Sequence, residues 1–319
     1  MKFYCTHFDS NYIPNALSLY HSLDLFAGPF KLFMFCMDDE SFNYLKELDL
    51  VSGVILSYKQ IEDFIPNLGL AKKNRSRVEY FYTCSPAICY YVLQNFEQVE
   101  LITYLDADLY FYSSPKPLYE ELGDASVGII DHRFHWISQR NSRYGKFNVG
   151  WINFRRDQDG LSCLTNWLEC CINWCYQRLE DGKYADQKYL DNWPEKFKNV
   201  RILHNKGANL AIWNIKNYKL KIIDMDVLVD NEKLIFYHFS NLKQISDHVF
   251  RSDLSRVLVR TTQLILNKIY LPYVNSLLKY QVNKSIPKKD NYNNKIRYQF
   301  KIFSRYIRHI IFPDTIKIK

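Results

Sequence analysis

The strongest constraint on this chain is an alternation. Short apolar runs, KFYCTHF, FKLFMFCM, VSGVILSY and LITYLDAD, are separated by segments of helical periodicity: about residues 14–26, the stretch DESFNYLKELDL, and about residues 79–95. Strands separated by helices are joined most simply by crossovers that keep them parallel. The pattern therefore predicts an α/β fold, a mostly parallel mixed sheet covered by helices on both faces. Sheets of this kind bind ligands beyond the carboxyl ends of their strands. The fourth run ends there in two acids, Asp106 and Asp108.

Further along, SVGIID, FNVGWINFRR and VRILH read as strands, and residues 161–180 read as an amphipathic helix. KLKIIDMDVLV with KLIFYHF reads as a late strand pair. The 319 residues, 47% hydrophobic, suffice for a sizeable core. No repeat or low-complexity linker interrupts the chain before about residue 284. The simplest partition is one compact domain over 1–245, a helical segment over 246–283 and a basic tail over 284–319. The opening MKFYCTHFDSNY reaches a histidine and an aspartate before any long apolar stretch, so the mature chain is expected to begin at or near Met1. No run approaches the roughly 18 apolar residues a spanning helix needs, and the chain is expected not to cross a membrane.

Eight cysteines are scattered through segments that otherwise read as core. Cys163, Cys170, Cys171 and Cys175 lie at helical spacing beside Trp167 and Trp174, with no paired histidine, which predicts buried free thiols in a reducing cytoplasm rather than disulfides or zinc. The net charge of +8 is unevenly placed. From Lys284 onward ten Lys and Arg face only Asp290 and Asp314, so the first 283 residues are neutral. In that tail Ile296, Phe300, Phe303, Ile307 and Ile311 share one helical face, with Lys295, Lys301, Arg305 and Arg308 elsewhere on the wheel. A basic amphipathic helix of this kind suits an anionic membrane surface, each cation contributing on the order of 1 kcal/mol; the alternative is a helix docked on its own domain or on a sister subunit. A neutral body without a recognised reading module argues against nucleic acid.

Two carboxylates one residue apart are a weak signal alone, and the chain holds three such triplets. Asp157 and Asp159 precede Gly160 and a helical run, as a turn and N-cap would. Asp224 and Asp226 lie in an alternating strand with one wet face. Only Asp106 and Asp108 end a nearly continuous apolar run. A hard divalent cation, Mg²⁺ or Mn²⁺, accounts for them, because such ions take one or two carboxylates together with substrate phosphates. Residues i and i+2 of a regular strand stand about 6.6 Å apart, too far for both to grip one ion. The strand is therefore expected to end at Leu105, leaving Asp108 to ligate directly and Asp106 to reach the ion or a sugar hydroxyl.

Around these acids the chain resembles nucleotide-sugar glycosyltransferases of the GT-A (Rossmann-like) type, in particular the retaining family that includes glycogenin and bacterial lipopolysaccharide galactosyltransferases. The resemblance covers about residues 3–245 and rests on ordered blocks: THFDSNYIPNALSLYHSL, YLDADLYF, FNVGWINFRRD, YADQKYLD, LAIWN and FYHFSNLK. It implies a GT-A sheet with a C-terminal helical extension, in which Thr6, Asp9, Asn11 and Tyr12 lie near the nucleobase. Asp106, Asp108 and His238 would hold the metal. Ala107, Asn148 and Lys243 would join the donor contacts. Arg77 would approach the diphosphate or sugar, with Lys72, Lys73 and Arg75 as competitors. Asp186 and Gln187 would sit beneath the reacting sugar carbon, Gln187 supplying a dipole and Asp186 orienting hydroxyls. The sequence departs from the family where Lys188 replaces a second acid after the D-Q pair, and where HFSNLKQIS replaces a glycine and K-P-W.

The resemblance implies a metal-dependent, retaining hexosyltransferase that uses a UDP-sugar and acts on a cell-envelope glycan or glycolipid; the basic tail adds the expectation of a cytoplasmic enzyme able to lie peripherally on the inner face of the plasma membrane. A nucleotidyltransferase would show a glycine-rich loop near the N-terminus, which THFDSNY lacks; a non-catalytic nucleotide-sugar binder is the other alternative. An aspartyl-phosphate phosphatase would place Thr where Tyr110 stands. The segment DHRFHWISQRNSRYGKFN reads either as a loop able to close over donor or acceptor or as a solvated surface loop. His132 and His135 lack the further ligands of a zinc site.

Overall fold

The computed structural model describes residues 1–281 and 311–318. Strand β1 (Lys2–Phe8) leads into helix α1 (Ile13–Phe26), then β2 (Phe30–Cys36), α2 (Asp39–Lys46) and β3 (Gly53–Ser57). Three helices, α3 (Tyr58–Phe64), α4 (Asn67–Lys73) and α5 (Arg77–Asn95), precede β4 (Leu101–Leu105). Side chains that satisfy the first free backbone N–H groups set several of these starts. Asp38 accepts from the Ser41 N–H, while Ser57 with Gln60 and Ser76 with Glu79 form reciprocal capping pairs.

Beyond β4 come the short β5 (Leu109–Phe111), α6 (Lys116–Leu122), β6 (Val127–Asp131), β7 (Phe147–Arg155), α7 (Gln158–Asn173), α8 (Trp193–Lys196) and β8 (Val200–Leu203). The central sheet has the order β3-β2-β1-β4-β7-β6-β8. All its neighbours are parallel except β7, which runs antiparallel to both β4 and β6. The expected mixed α/β architecture is the observed one. Successive residues explain why its strands are apolar throughout: Cys5, Phe33 and Phe35 pack beneath α5 and α7, while Tyr4, Leu32 and Met34 pack beneath α1 on the other face. Burial of each such large side chain contributes about 1.5–3 kcal/mol.

Three smaller sheets complete the fold. β9 (Leu210–Ala211) is followed by β10 (Leu220–Ile223), β11 (Asp226–Val229) and β12 (Glu232–Lys233), which form an antiparallel meander. β13 (Phe236–His238) leaves that meander to pair with β5 and β9. The third sheet holds β14 (Lys243–Ser246), β15 (Val249–Arg251) and β16 (Thr315–Lys317), beside helix α9 (Leu271–Lys279).

Several sequence expectations change. The helix expected over 161–180 ends at Asn173, where Trp174 turns to an extended conformation; Tyr189 donates to the Trp174 carbonyl at 2.7 Å and Arg75 to that of Ile172 at 3.1 Å. KLKIIDMDVLV is a hairpin rather than one strand, with Asp224 and Met225 both at positive φ. KLIFYHF splits between two sheets. The segment 246–283 opens with β15 before its helical turns. Most of the expected amphipathic helix lies outside the described residues, Ile311 alone being described and half-exposed. The end of the basic tail is part of the fold: β16 pairs with β15, and Ile316 is buried. The cysteines are free thiols, all buried except the half-buried Cys170. Among the described residues no helix is long and apolar enough to cross a membrane.

Candidate metal centre

β4 stops at Leu105, paired with Trp151 of β7. The chain then turns over Asp106–Asp108, closed by a bond from the Leu109 N–H to the Asp106 carbonyl at 3.3 Å. β5 departs into the second sheet, where it meets β13 with His238 opposite Leu109. This register delivers an imidazole from 130 residues downstream beside the acids. His238 Nε2 lies 3.1 Å from Asp108 Oδ1 and 3.5 Å from Asp106 Oδ2. One ligand atom from each of the three residues falls within 4.8 Å of the others. Buried Ala107 separates the two acids without competing for them.

The His238 side chain can approach because of Gly150: a Cβ there would stand 2.9 Å from the imidazole and 2.7 Å from Asn148 Oδ1. Asn148 Oδ1 meets His238 Nδ1 at 3.1 Å, leaving Nε2 to face the carboxylates. Asn148 Nδ2 contacts His132 Nε2 at 3.2 Å. The Trp213 ring stands edge-on to both His132 and His238, 5.1 Å from each.

The charges in this cluster are poorly compensated. Desolvation pushes the Asp106 carboxyl up to about 6; His238 opposes the rise, Asp108 adds to it, and a bond donated by Tyr104 at 2.9 Å opposes it. Tyr104 spends its proton on Asp106, so it accepts from His7 Nε2 at 3.2 Å. Burial alone would lower His238, but Asp108 and Asp106 outweigh it and raise the imidazole above its usual range. Burial drives His132 down to about 3, so it is neutral. Two carboxylates and one imidazole, grouped beyond a strand end with a negative surplus when the histidine is neutral, are a donor set that fits a hard divalent cation.

A second acid group lies nearby. Asp186 is buried, and desolvation pushes its carboxyl up to about 7, with the Ser85 hydroxyl opposing and the Asp106 charge adding. Its carbonyl accepts from Trp167 Nε1 at 2.9 Å. The next residue, Gln187, lies against Gly145, where a Cβ would come within 2.9 Å of its side chain. Gln187 Nε2 reaches the Tyr144 carbonyl at 3.4 Å. The loop after β6 thus touches Gln187 through Tyr144 and Gly145, and Asn148 through His132; it forms a 3-10 turn over Trp136–Tyr144, with Trp136 largely exposed. Lys188, standing where a second acid was expected, pairs with Asp191 at 2.7 Å.

At the end of β1, Asp9 accepts from the Asn11 N–H at 2.9 Å and shapes the turn that carries Asn11 and the exposed Tyr12. The Thr6 hydroxyl is buried with no partner among the described residues. Arg77 bridges Asp9 at 2.6 Å and Asp38 at 3.2 Å, just beyond the ends of β1 and β2. Its competitors are engaged elsewhere: Lys72 pairs with Glu62, and Arg75 stacks on Tyr176. Asn148 is occupied by two histidines, and Lys243 is exposed at the start of β14. Sequence reasoning missed Tyr104, His7, Asp38 and the polar role of His132. Of these only Tyr104 carried a signal, since it lies in β4 only two residues before Asp106.

The molecule is thus a mixed α/β protein with a candidate carboxylate–histidine metal centre at the carboxyl edge of its sheet. It belongs to the family of two Bacillus subtilis (strain 168) proteins, YfnD and YfnF, both uncharacterized. The chain is 31% identical to YfnD over 268 residues, covering 83% of this chain and 85% of that protein. It is 32% identical to YfnF over 251 residues, covering 76% and 82%. No protein-family model matches. Among solved structures it is similar to apo mouse xyloside xylosyltransferase 1, at 14% identity and TM-score 0.44, covering 75% of this chain and 98% of that one. It is also similar to the galactosyltransferase LgtC in complex with donor and acceptor sugar analogues, at 15% identity and TM-score 0.48, covering 75% and 87%.

Proposed function

We propose that the protein is a metal-dependent glycosyltransferase. It moves a hexose-type sugar from a nucleotide diphosphate, UDP in the first instance, to a glycan or glycolipid acceptor of the cell envelope, with retention at the anomeric carbon. The observation that carries the reading is the convergence of Asp106, Asp108 and His238 from two sheets on one spot beyond β4. The ordered motif blocks in the sequence support it.

In this reading Asp106, Asp108 and His238 hold Mn²⁺ or Mg²⁺, and the bound cation supplies neutralisation of the charge that develops on the diphosphate leaving group. Thr6, Asp9, Asn11 and Tyr12 form the base end of the donor site, Ala107 contributes to the donor floor, and Arg77 positions the base end through Asp9. Lys243 is a phosphate contact if β14 closes toward the cleft. Asp186, poised near neutrality, orients the sugar hydroxyls, and Gln187 presents its amide dipole to the anomeric carbon. In the transfer the bond from C1 to the phosphate oxygen breaks, the bond from C1 to the acceptor oxygen forms, and the acceptor proton passes to the departing phosphate. Residues 1–245 carry this chemistry. The basic segment after 284 holds the enzyme on the anionic cytoplasmic leaflet where such an acceptor is presented.

NMR of the purified protein with a panel of UDP-hexoses tests the reading. Release of UDP that stops with EDTA, with the product sugar keeping the donor's anomeric configuration, is the expected result. UDP release indifferent to EDTA and to Asp108→Asn would contradict it. Pyrophosphate released from a nucleoside triphosphate and a sugar phosphate would instead establish a nucleotidyltransferase.

A further inference from the structure

The hydrogen bonds behind His238 run in one direction, and each link is forced by the one before it. The Lys146 carbonyl can only accept, so His132 Nδ1, 3.0 Å away, carries a proton. The Gly150 N–H can only donate, and at 3.1 Å it identifies the Asn148 atom facing it as the amide oxygen. The amide nitrogen of Asn148 therefore faces His132 Nε2 at 3.2 Å, which must accept. That same amide oxygen, 3.1 Å from His238 Nδ1, then requires a proton on Nδ1. The opposite tautomer of His238 would set two lone pairs against each other in a site where His132, Asn148 and His238 are all buried.

We infer that His132 is a positioning residue: acting through Asn148, it locks His238 as the Nδ1–H tautomer and so reserves Nε2 for a metal ion. The inference rests on the metal reading above and extends it to a residue that touches no ligand. A partner of this kind is worth about 10–100-fold in metal affinity at other sites. Its distinguishing feature is directionality. A leucine at 132 fills the space but removes the acceptor of the Asn148 amide nitrogen, leaving the Gly150 N–H alone to hold the amide's orientation, whereas a glutamine offers a donor and an acceptor about as far apart as the two imidazole nitrogens.

The test uses the full-length wild type, His132→Leu and His132→Gln. Mn²⁺ affinity is measured by EPR of the free ion, and the His238 tautomer by ¹⁵N-histidine NMR of metal-free protein at alkaline pH. Expected are an Nδ1–H signal from His238 in the wild type, at least tenfold weaker Mn²⁺ binding with loss of that signal in His132→Leu, and recovery of both in His132→Gln. An Nε2–H tautomer in the wild type overturns the proposal. So does equal weakening in the two folded variants, which would show that His132 acts by packing alone. If the wild type takes up no Mn²⁺, the metal reading has failed, and the ¹⁵N spectrum still decides the tautomer.

Discussion

Two acid clusters beyond the strand ends of the central sheet are built from similar ingredients and come out electrically different. In one, Asp9 and Asp38 share Arg77, whose side chain is 58% exposed. In the other, Asp106 and Asp108 share His238, whose side chain is 5% exposed. A guanidinium keeps its charge at any physiological pH, so the first cluster holds a fixed cation that itself faces water. An imidazole is a conditional cation. The Asp106 side chain keeps 30% of its surface open, yet protein surrounds it closely enough that desolvation moves its carboxyl to about 6. A further cation is therefore wanted where the resident one is conditional: the Asp106–Asp108–His238 cluster gains charge compensation from a divalent ion, while the Asp9–Asp38 cluster already holds a fixed cation.

The largest effect that should separate the two clusters is on turnover. Asp108→Asn should reduce metal-dependent sugar transfer by about 10²-fold or more, the scale on which charge stabilisation of a leaving group acts. Asp38→Asn, measured in the same assay, should leave it within a few-fold; equal losses would erase the distinction. Gly150→Ala comes next. Its Cβ would collide with the His238 ring, so Mn²⁺ affinity measured by EPR should fall about tenfold, in line with other disturbances of a ligand's support.

A third effect is on stability against pH. The folded Asp186 carboxyl sits near 7 against an ordinary 3.8, so between those values the folded state binds more protons than the unfolded one. The stability contributed by burying the neutral carboxyl is present below about pH 4 and is lost as the pH rises through about 7. In EDTA, the melting temperature of Asp186→Asn should therefore exceed that of the wild type by a margin that widens from about pH 5 to pH 8. A constant margin would show that Asp186 is not desolvated. The smallest effect belongs to Arg77. Because the Arg77 side chain is 58% exposed and its charge is screened by water, Arg77→Ala should change stability in urea melts by only about 1 kcal/mol, while weakening UDP binding several-fold.

What could be read from the sequence follows from how local the cause was. The alternation that made the central sheet is local, and so is the abrupt end of β4 before Asp106. His238 was reached only through the resemblance of its H-F block, because the pairing that places it opposite Leu109 is a long-range register no periodicity reveals. The direction of the His132–Asn148–His238 chain was beyond reach for the same reason, since it needs three elements in contact. The bridge from Arg77 to Asp9 and Asp38 was beyond reach because nothing in the sequence shows that these two acids end neighbouring strands. The Asp224–Met225 turn was misread as strand because its flanks alternate and the turn contains no glycine. The closing strand β16 was hidden in a segment whose composition spoke only of charge.

The central claim is that the cluster beyond β4 is a cation site tied to nucleotide diphosphate binding. Calorimetric titration of UDP into the protein, with Mn²⁺ present and then with EDTA, tests it most directly when repeated on Asp108→Asn. The account predicts saturable binding in Mn²⁺ that is lost in EDTA and in the variant. UDP binding of equal strength under all three conditions would contradict it.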